Sequence, residues 1–141
     1  MRARAIVLIL LAFVAGLALL TNAGAATRDR RPPRFDGLNS AVTCVPGPIG
    51  GGRTTSYHLS WDAATDNVTR SRRIVYDVYQ ATKAGGEDFS KPTYTAPAGA
   101  ESFDTPPLPT DETFYFVVRA RDRAGNRDSN TVEREGVNLC D

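Results

Sequence analysis

The segment from Phe114 to Asn126, with the sequence FYFVVRARDRAGN, constrains the fold more than any other part of the chain. Its side chains fall alternately on two faces, with Phe114, Phe116, Val118 and Ala120 on one and Tyr115, Val117, Arg119 and Arg121 on the other. A repeat of two residues over this length is typical of a half-buried antiparallel strand, and the Ala-Gly-Asn sequence that follows predicts a turn. The pattern therefore favours an antiparallel β-sheet.

Short segments with the same alternation recur after residue 35, separated by Gly, Pro, Asp and Asn. Short strands at near-regular spacing are typical of an all-β sandwich. We predict seven strands, at Asn39–Val45, Thr55–Trp61, Ile74–Gln80, Thr93–Thr95, Glu101–Asp104, Thr113–Arg121 and Ser129–Val137. By parity, the core should centre on Trp61 and contain Tyr57, Leu59, Trp61, Ile74, Tyr76, Val78, Phe114, Phe116, Val118 and Ala120.

The N-terminus has the features of a secretory signal peptide. Arg2 and Arg4 precede an apolar run from Ala5 to Leu20, and small residues follow at positions 23–26. We predict a cleaved signal at 1–26, a basic Pro-containing linker at 27–35 and a folded domain at 36–141. An uncleaved anchor is the alternative, because the basic stretch Arg28–Arg34 follows the apolar run. The protein is expected to be secreted or held at the cell surface.

The charge balance excludes some partners. The chain has 17 Lys and Arg against 16 Asp and Glu, and removing Arg2 and Arg4 leaves 15 against 16. A near-neutral domain has no general affinity for nucleic acid or, once the signal is removed, for a membrane surface. We expect a monomer without a cofactor. The two cysteines, Cys44 and Cys140, predict one disulfide in an oxidising compartment.

Three segments resemble bacterial fibronectin type III domains. Leu59–Asn67 (LSWDAATDN) is similar to the second strand and its loop, and Ile74–Gln80 (IVYDVYQ) to the third strand. Leu108–Asp122 and the following RAGN sequence are similar to the sixth strand and its hairpin. The likeness covers Pro33 to Leu139 and implies a seven-stranded immunoglobulin-like sandwich. It also implies that both cysteines lie at the same pole of the domain, at the ends of the first and last strands.

The sequence departs from the family pattern before the sixth strand. A Leu-x-Pro-Gly-x-x-Tyr corner is usual there, whereas this chain has Leu108, Pro109 and finally Phe114 in place of the tyrosine. The hydrogen bond from the tyrosine hydroxyl to the backbone is therefore lost, at a cost of about 0.5–1.5 kcal/mol.

The resemblance implies a non-catalytic module that binds a protein or a cell-surface polymer, and the outer face of two neighbouring strands is the candidate surface. It comprises Arg73, Tyr79, Tyr115, Arg119 and Arg121. We expect Arg70, Arg72, Arg123 and Arg127 to lie near the same pole. Their local positive charge suits an anionic partner, and the alternative is a solvated charged face that protects the sheet edge. The alternative is a carbohydrate-binding protein in which Tyr79 and Tyr115, placed roughly opposite each other and exposed, stack on sugar rings. A third interpretation is a cross-strand aromatic pair that only stabilises the sheet.

Two further groups of polar residues suggest a metal site and a hydrolase. Asp62, Asp66 and Asp122, with Asn67 and Asn126, should gather at one pole, where oxygen ligands suit calcium. We favour turn chemistry for them and predict no metal. His58 and Ser60 share a strand face, but nothing in the sequence supplies the orienting acid and oxyanion site that a hydrolase needs. An enzyme is therefore a remote alternative.

Overall fold

The computed structural model describes residues 28–140, which form ten β-strands and one short 3-10 helix at Ser71–Arg73. The strands are β1 (Leu38–Thr43), β2 (Thr54–Thr55), β3 (His58–Trp61), β4 (Val75–Ala81), β5 (Tyr94–Ala96), β6 (Ser102–Asp104), β7 (Leu108–Pro109), β8 (Tyr115–Arg121), β9 (Glu133–Glu135) and β10 (Val137–Asn138). Each of the seven predicted strands overlaps at least one of them.

Eight strands build two sheets, with the orders β10-β1-β3-β6 and β5-β4-β8-β9, while β2 and β7 pair separately. The longest pairing joins β4 and β8, antiparallel from Val75 opposite Arg121 to Ala81 opposite Tyr115. Inward side chains from both sheets form one hydrophobic core. The predicted all-β sandwich is therefore confirmed.

The core has the composition that the alternation predicts. All the side chains assigned to it are buried: Tyr57, Leu59, Trp61, Ile74, Tyr76, Val78, Phe114, Phe116, Val118 and Ala120. The rings of Trp61 and Tyr76 lie 5.3 Å apart, and their polar atoms are satisfied within the protein. The Trp61 indole donates to the Ala100 carbonyl at 2.9 Å, and the Tyr76 hydroxyl accepts from the Ala64 amide at 2.8 Å.

Two predicted strands are interrupted. The segment Thr55–Trp61 changes partners at Ser56, because β2 pairs with β7 whereas β3 pairs with β1 and β6. The predicted strand Ser129–Val137 is regular only at β9 and β10. The Asp128 carboxylate accepts from the Ala120 amide, and the Asn130 side chain donates to the Val118 carbonyl at 3.0 Å. These side chains replace the backbone partners that a longer strand would have supplied to β8.

The disulfide joins Cys44 to Cys140, as predicted, across 96 residues of sequence. Each cysteine follows one of two parallel strands, since β1 and β10 pair with Thr43 opposite Asn138. The Asn138 side chain also accepts from the Val45 amide at 2.9 Å. The parallel pairing therefore brings the two cysteines to the same end of the sandwich.

The lead-in before β1 packs on the domain. The Arg34 and Thr65 backbones exchange hydrogen bonds of 2.8 and 3.0 Å, and the Phe35 ring lies 5.3 Å from that of Tyr76. Pro33 is buried as well. The end of the predicted linker, at residues 33–35, therefore packs against the sandwich.

The predicted signal peptide lies outside the described residues. Within residues 28–140, no helix has the length and hydropathy needed to span a lipid bilayer.

Candidate functional site

The predicted tyrosine pair does not form. Tyr79 lies opposite Val117, and Tyr115 lies opposite Ala81, so the two tyrosines are two positions apart along the paired strands. The sequence showed that both side chains share a face, but the register depends on which backbone groups of β4 and β8 pair. The two tyrosines, expected to lie roughly opposite each other, are therefore diagonal neighbours and not a directly opposed pair.

Tyr79 is also covered, with only 1% of its surface exposed. The loop after β4 returns over the sheet and places the Phe89 ring 5.1 Å from the Tyr79 ring. The Arg119 guanidinium lies over both rings, 3.5 Å from the Phe89 centroid and 5.8 Å from the Tyr79 centroid. Burial raises the pKa of the Tyr79 hydroxyl. The prediction of an exposed Tyr79 is therefore wrong, and a sugar ring cannot stack on it in this conformation.

The covering loop is anchored to β9. The Gly85 amide donates to the Glu133 carboxylate at 2.6 Å. Burial raises the pKa of Glu87, and the charge and hydrogen bond of Glu133 raise it further. Two adjacent carboxyl groups are more stable when one of them keeps its proton. The loop is thus held by the hydrogen bond from Gly85 to Glu133 as well as by the packing of Phe89 on Tyr79.

A buried carboxylate organises the arginines of the outer face. Asp77 is completely buried on β4, yet Arg121 Nε lies 2.9 Å and the Arg127 guanidinium 2.8 Å from its Oδ2 atom. Thr95 donates to its other oxygen at 3.2 Å. Burial raises the pKa of Asp77, but the hydrogen bond and charge of Arg121 and the charge of Arg127 outweigh it, and the pKa falls below its usual value. Asp77 therefore stays ionised, and both arginines are structural partners.

The predicted binding face is consequently divided. Arg119 donates to the Asn130 carbonyl at 2.9 Å, in addition to its ring contacts, and Arg121 is paired with Asp77. Tyr115 is half-buried, and Arg73 is exposed at a different place, in the 3-10 helix. The sequence could not show this division, because it depends on where the loops around the sheet lie.

A second group of arginines lines an open cleft of about 550 Å³. Arg70 and Arg73 are placed there by the 3-10 helix, in which the Arg73 amide donates to the Arg70 carbonyl at 2.8 Å. Arg123 comes from the turn after β8, where its amide contacts the Thr69 hydroxyl at 3.4 Å. Asp29, Val68, Thr69 and Ala124 complete the lining. None of the ion pairs found in residues 28–140 involves these three arginines.

Three carboxylates meet beside this cleft. Asp29, Asp66 and Asp122 each contribute an oxygen that lies within 4.8 Å of the others. The Asp66 carboxylate accepts from the Val68 and Thr69 amides at 2.9 and 2.7 Å, as turn chemistry predicts. Oxygen groups of this kind suit a hard cation such as calcium.

The composition of this acidic group differs from the predicted one. Asp62 instead accepts from the Asn39 side chain at 3.1 Å. Asp29 was not expected in this group, because it precedes the predicted domain and has no spacing relationship to the other two. Asn126 belongs to the group through its side-chain bond to Asp122 at 2.7 Å.

His58 and Ser60 have separate partners. The His58 imidazole contacts the Asp104 carboxylate at 2.7 Å, and the Ser60 and Ser40 hydroxyls lie 2.7 Å apart. The His58 and Asp104 side chains are both largely exposed. This arrangement is that of surface polar pairs across neighbouring strands.

Comparison with known proteins supports the architecture. No protein-family model and no curated protein matches the chain. Among solved structures, the chain is similar to a Fn3-like protein from Clostridium thermocellum, with 23% sequence identity and a TM-score of 0.52. The alignment covers 77% of this chain and 95% of that one. Together with the two sheets and their strand order, this similarity shows that the chain has the fold of a fibronectin type III-like domain.

Proposed function

We propose that this protein is an exported, non-catalytic binding module that recognises an anionic cell-surface polymer through the arginine-lined cleft. The observation that carries the proposal is the position of Arg70, Arg73 and Arg123 on one cleft of about 550 Å³. The other arginines of the outer face are engaged within the protein, whereas these three have no carboxylate partner among the described residues.

Arginine suits such a ligand for a physical reason. Its planar guanidinium donates two parallel hydrogen bonds to a carboxylate, phosphate or sulfate group, and these charge-assisted bonds are among the stronger ones in proteins. Three guanidinium groups around one cleft also attract repeated negative charges along a polymer. A neutral glycan lacks both interactions.

An exported location is supported by the disulfide, which persists in oxidising compartments. A non-catalytic role is supported by the fold, in which binding functions are usual, and by the separate partners of His58 and Ser60. Sugar stacking on the two tyrosines is not proposed, because Tyr79 lies beneath Phe89 and Arg119.

The test is binding to polygalacturonate and to polyphosphate, with neutral dextran as the reference polymer. Arg70→Gln/Arg73→Gln is expected to weaken binding about tenfold or more, because each lost charged hydrogen bond contributes about 1.5–3 kcal/mol. Lys83→Gln/Lys91→Gln removes the same net charge from exposed positions outside the cleft and serves as the matched control. It should change the affinity less than about twofold at physiological salt.

Two results would contradict the proposal. Equal weakening by the arginine and lysine variants would reduce the interaction to general charge attraction. Failure of the unmodified protein to bind either anionic polymer at low salt would exclude this ligand class and leave a protein partner as the explanation for the cleft.

A further inference from the structure

The arginine-lined cleft also contains a carboxylate. Asp29, from the lead-in before β1, belongs to the same lining as Arg70, Arg73 and Arg123. All three arginine side chains are exposed. Among residues 28–140, none of the ion pairs found joins Asp29 to these arginines. The cleft therefore offers a ligand both cationic donors and an anionic acceptor that do not neutralise each other by direct pairing.

The Asp29 carboxylate has unused capacity to accept hydrogen bonds. Its Oδ1 atom accepts from the Arg31 amide at 3.1 Å, whereas its Oδ2 atom is shielded from bulk water and has no hydrogen-bond partner among the described residues. A carboxylate can accept about four hydrogen bonds, and an acceptor that is shielded without a donor costs free energy. The donors that would complete it are hydroxyl or amide groups of a ligand, because a fully ionised anionic group has no proton to donate.

The formal charge around the cleft is balanced. Asp66 and Asp122 lie next to Asp29, and one oxygen from each of these carboxylates lies within 4.8 Å of the other two. Three negative charges thus stand beside the three positive charges of the cleft arginines. A ligand with a high density of negative charge would be attracted by the guanidinium groups but repelled by the carboxylates. The cleft is therefore suited to widely spaced negative charges with hydrogen-bond donors between them.

The cleft also has an apolar part. Val68 and Ala124 belong to its lining, and Val68 is 66% exposed. Binding clefts for small groups commonly combine an apolar surface with a few polar side chains that fix the orientation of the ligand. A sugar ring matches this combination, since it has C–H groups on its faces and hydroxyl groups at its edge. A chain of phosphates has no apolar surface to place against Val68.

We propose that the cleft selects a polymer of sugar acids, with the arginines binding its carboxylates and Asp29 accepting hydrogen bonds from its ring hydroxyls. This inference rests on the proposed function and narrows the class of ligand. A polyuronate has one carboxylate on each sugar and hydroxyl groups beside it, so it meets each feature of the lining. Polyphosphate has a negative charge on every unit and no hydroxyl groups along its chain, so Asp29 repels it. Asp29 is therefore the residue that distinguishes the two polymers.

The experiment measures binding of the full chain to polygalacturonate and to polyphosphate at physiological salt. Asp29→Asn removes a charged acceptor and should weaken binding to polygalacturonate about tenfold. The same substitution removes a repulsive charge and should strengthen binding to polyphosphate about twofold or more. Asp111→Asn removes the same charge from an exposed turn outside the cleft lining, and it should change either affinity less than about twofold.

A second measurement changes the polymer and leaves the protein unmodified. Polygalacturonate with O-acetylated hydroxyl groups keeps its carboxylates but lacks the donors that Asp29 accepts. The unmodified protein should bind it about tenfold more weakly than polygalacturonate, whereas Asp29→Asn should bind the two polymers equally. The comparison with the unmodified protein keeps the inference testable even if substitution of Asp29 disturbs the lead-in.

Two results would overturn this inference and leave the proposed function intact. The first is unchanged or stronger binding of polygalacturonate by Asp29→Asn, while Arg70→Gln/Arg73→Gln still weakens it. The second is equal binding of polygalacturonate and its O-acetylated form by the unmodified protein. Failure of the unmodified protein to bind either polygalacturonate or polyphosphate would overturn the inference and the proposed function together.

Discussion

Removing both arginines that hold Asp77, as Arg121→Gln/Arg127→Gln, should leave a buried carboxylate without a cation. The Asp77 side chain is 0% exposed, and the two guanidinium groups lie 2.9 and 2.8 Å from one of its oxygens. Loss of the partners of a buried charge costs about 3–5 kcal/mol. We expect the free energy of unfolding of the double variant to fall by this amount.

The single variants should cost much less. Arg121 is 33% exposed and Arg127 31%, so water screens part of each interaction and the remaining arginine still compensates Asp77. About 1–2 kcal/mol is expected for either substitution alone. The double variant should therefore exceed the sum of the single ones, since only it leaves the carboxylate uncompensated.

The pH dependence tests the same network. The pKa of Asp77 is lowered in the folded state, and its unfolded value is about 3.9. A lowered pKa means that the unfolded state takes up the proton first as the pH falls. The contribution of Asp77 is thus present above about pH 4 and is lost as the pH drops through the lower folded value. Asp77→Asn should remove this part of the acid sensitivity.

Urea unfolding between neutral pH and about pH 2.5 is the appropriate assay, because urea does not screen charges and the range spans the expected titration. The m-value must stay constant for the comparison of variants to hold. A double variant that loses less than about 1 kcal/mol would refute the reasoning, since it would place Asp77 within reach of water. An unchanged acid sensitivity in Asp77→Asn would refute the assignment of that sensitivity to this carboxylate.

Three further changes have defined outcomes. Cys44→Ala/Cys140→Ala should lower stability in urea by about 4–5 kcal/mol, because the disulfide closes a loop of nearly the whole domain. Phe89→Ala should cost about 1–2 kcal/mol and make Tyr79 reactive to nitration, detected by peptide mass spectrometry. Gly99→Ala should lower the melting temperature, because Gly99 has a φ of +75° and its added Cβ would lie 2.9 Å from a backbone carbon. Unchanged stability, an unreactive Tyr79 or an unchanged melting temperature would contradict the respective prediction.

The residues of the core could be predicted from the sequence because strand alternation is a local property. Tyr57, Leu59 and Trp61 occupy alternate positions, and all three are buried in the structure. The same holds for Phe114 and its alternate neighbours on β8. The ends of the strands were harder to predict. The Asp128 and Asn130 side chains bond to the β8 backbone and shorten β9, and the periodicity of the sequence does not show this.

The candidate sites could be predicted only in part from the sequence. Asp66 and Asp122 were expected to lie near each other, but Asp29 joins them only because the lead-in folds back onto the sandwich. Arg73 was expected to share a surface with Arg121, yet the structure places it on the cleft and engages Arg121 with Asp77. Such convergence depends on loop paths, which no local pattern describes.

The sequence by itself determined the β-sandwich, the inward face of each main strand and the pairing of the two cysteines. Alternation and an even cysteine count are sufficient for these conclusions, because burial of one strand face permits few arrangements. The tertiary structure alone decided what covers the outward face. It placed Phe89 over Tyr79 and divided the arginines between a buried carboxylate and an open cleft. The physical reason is that the alternation along a strand specifies the face of the sheet on which a side chain lies. The exposure of that side chain also depends on residues distant in sequence that pack over it.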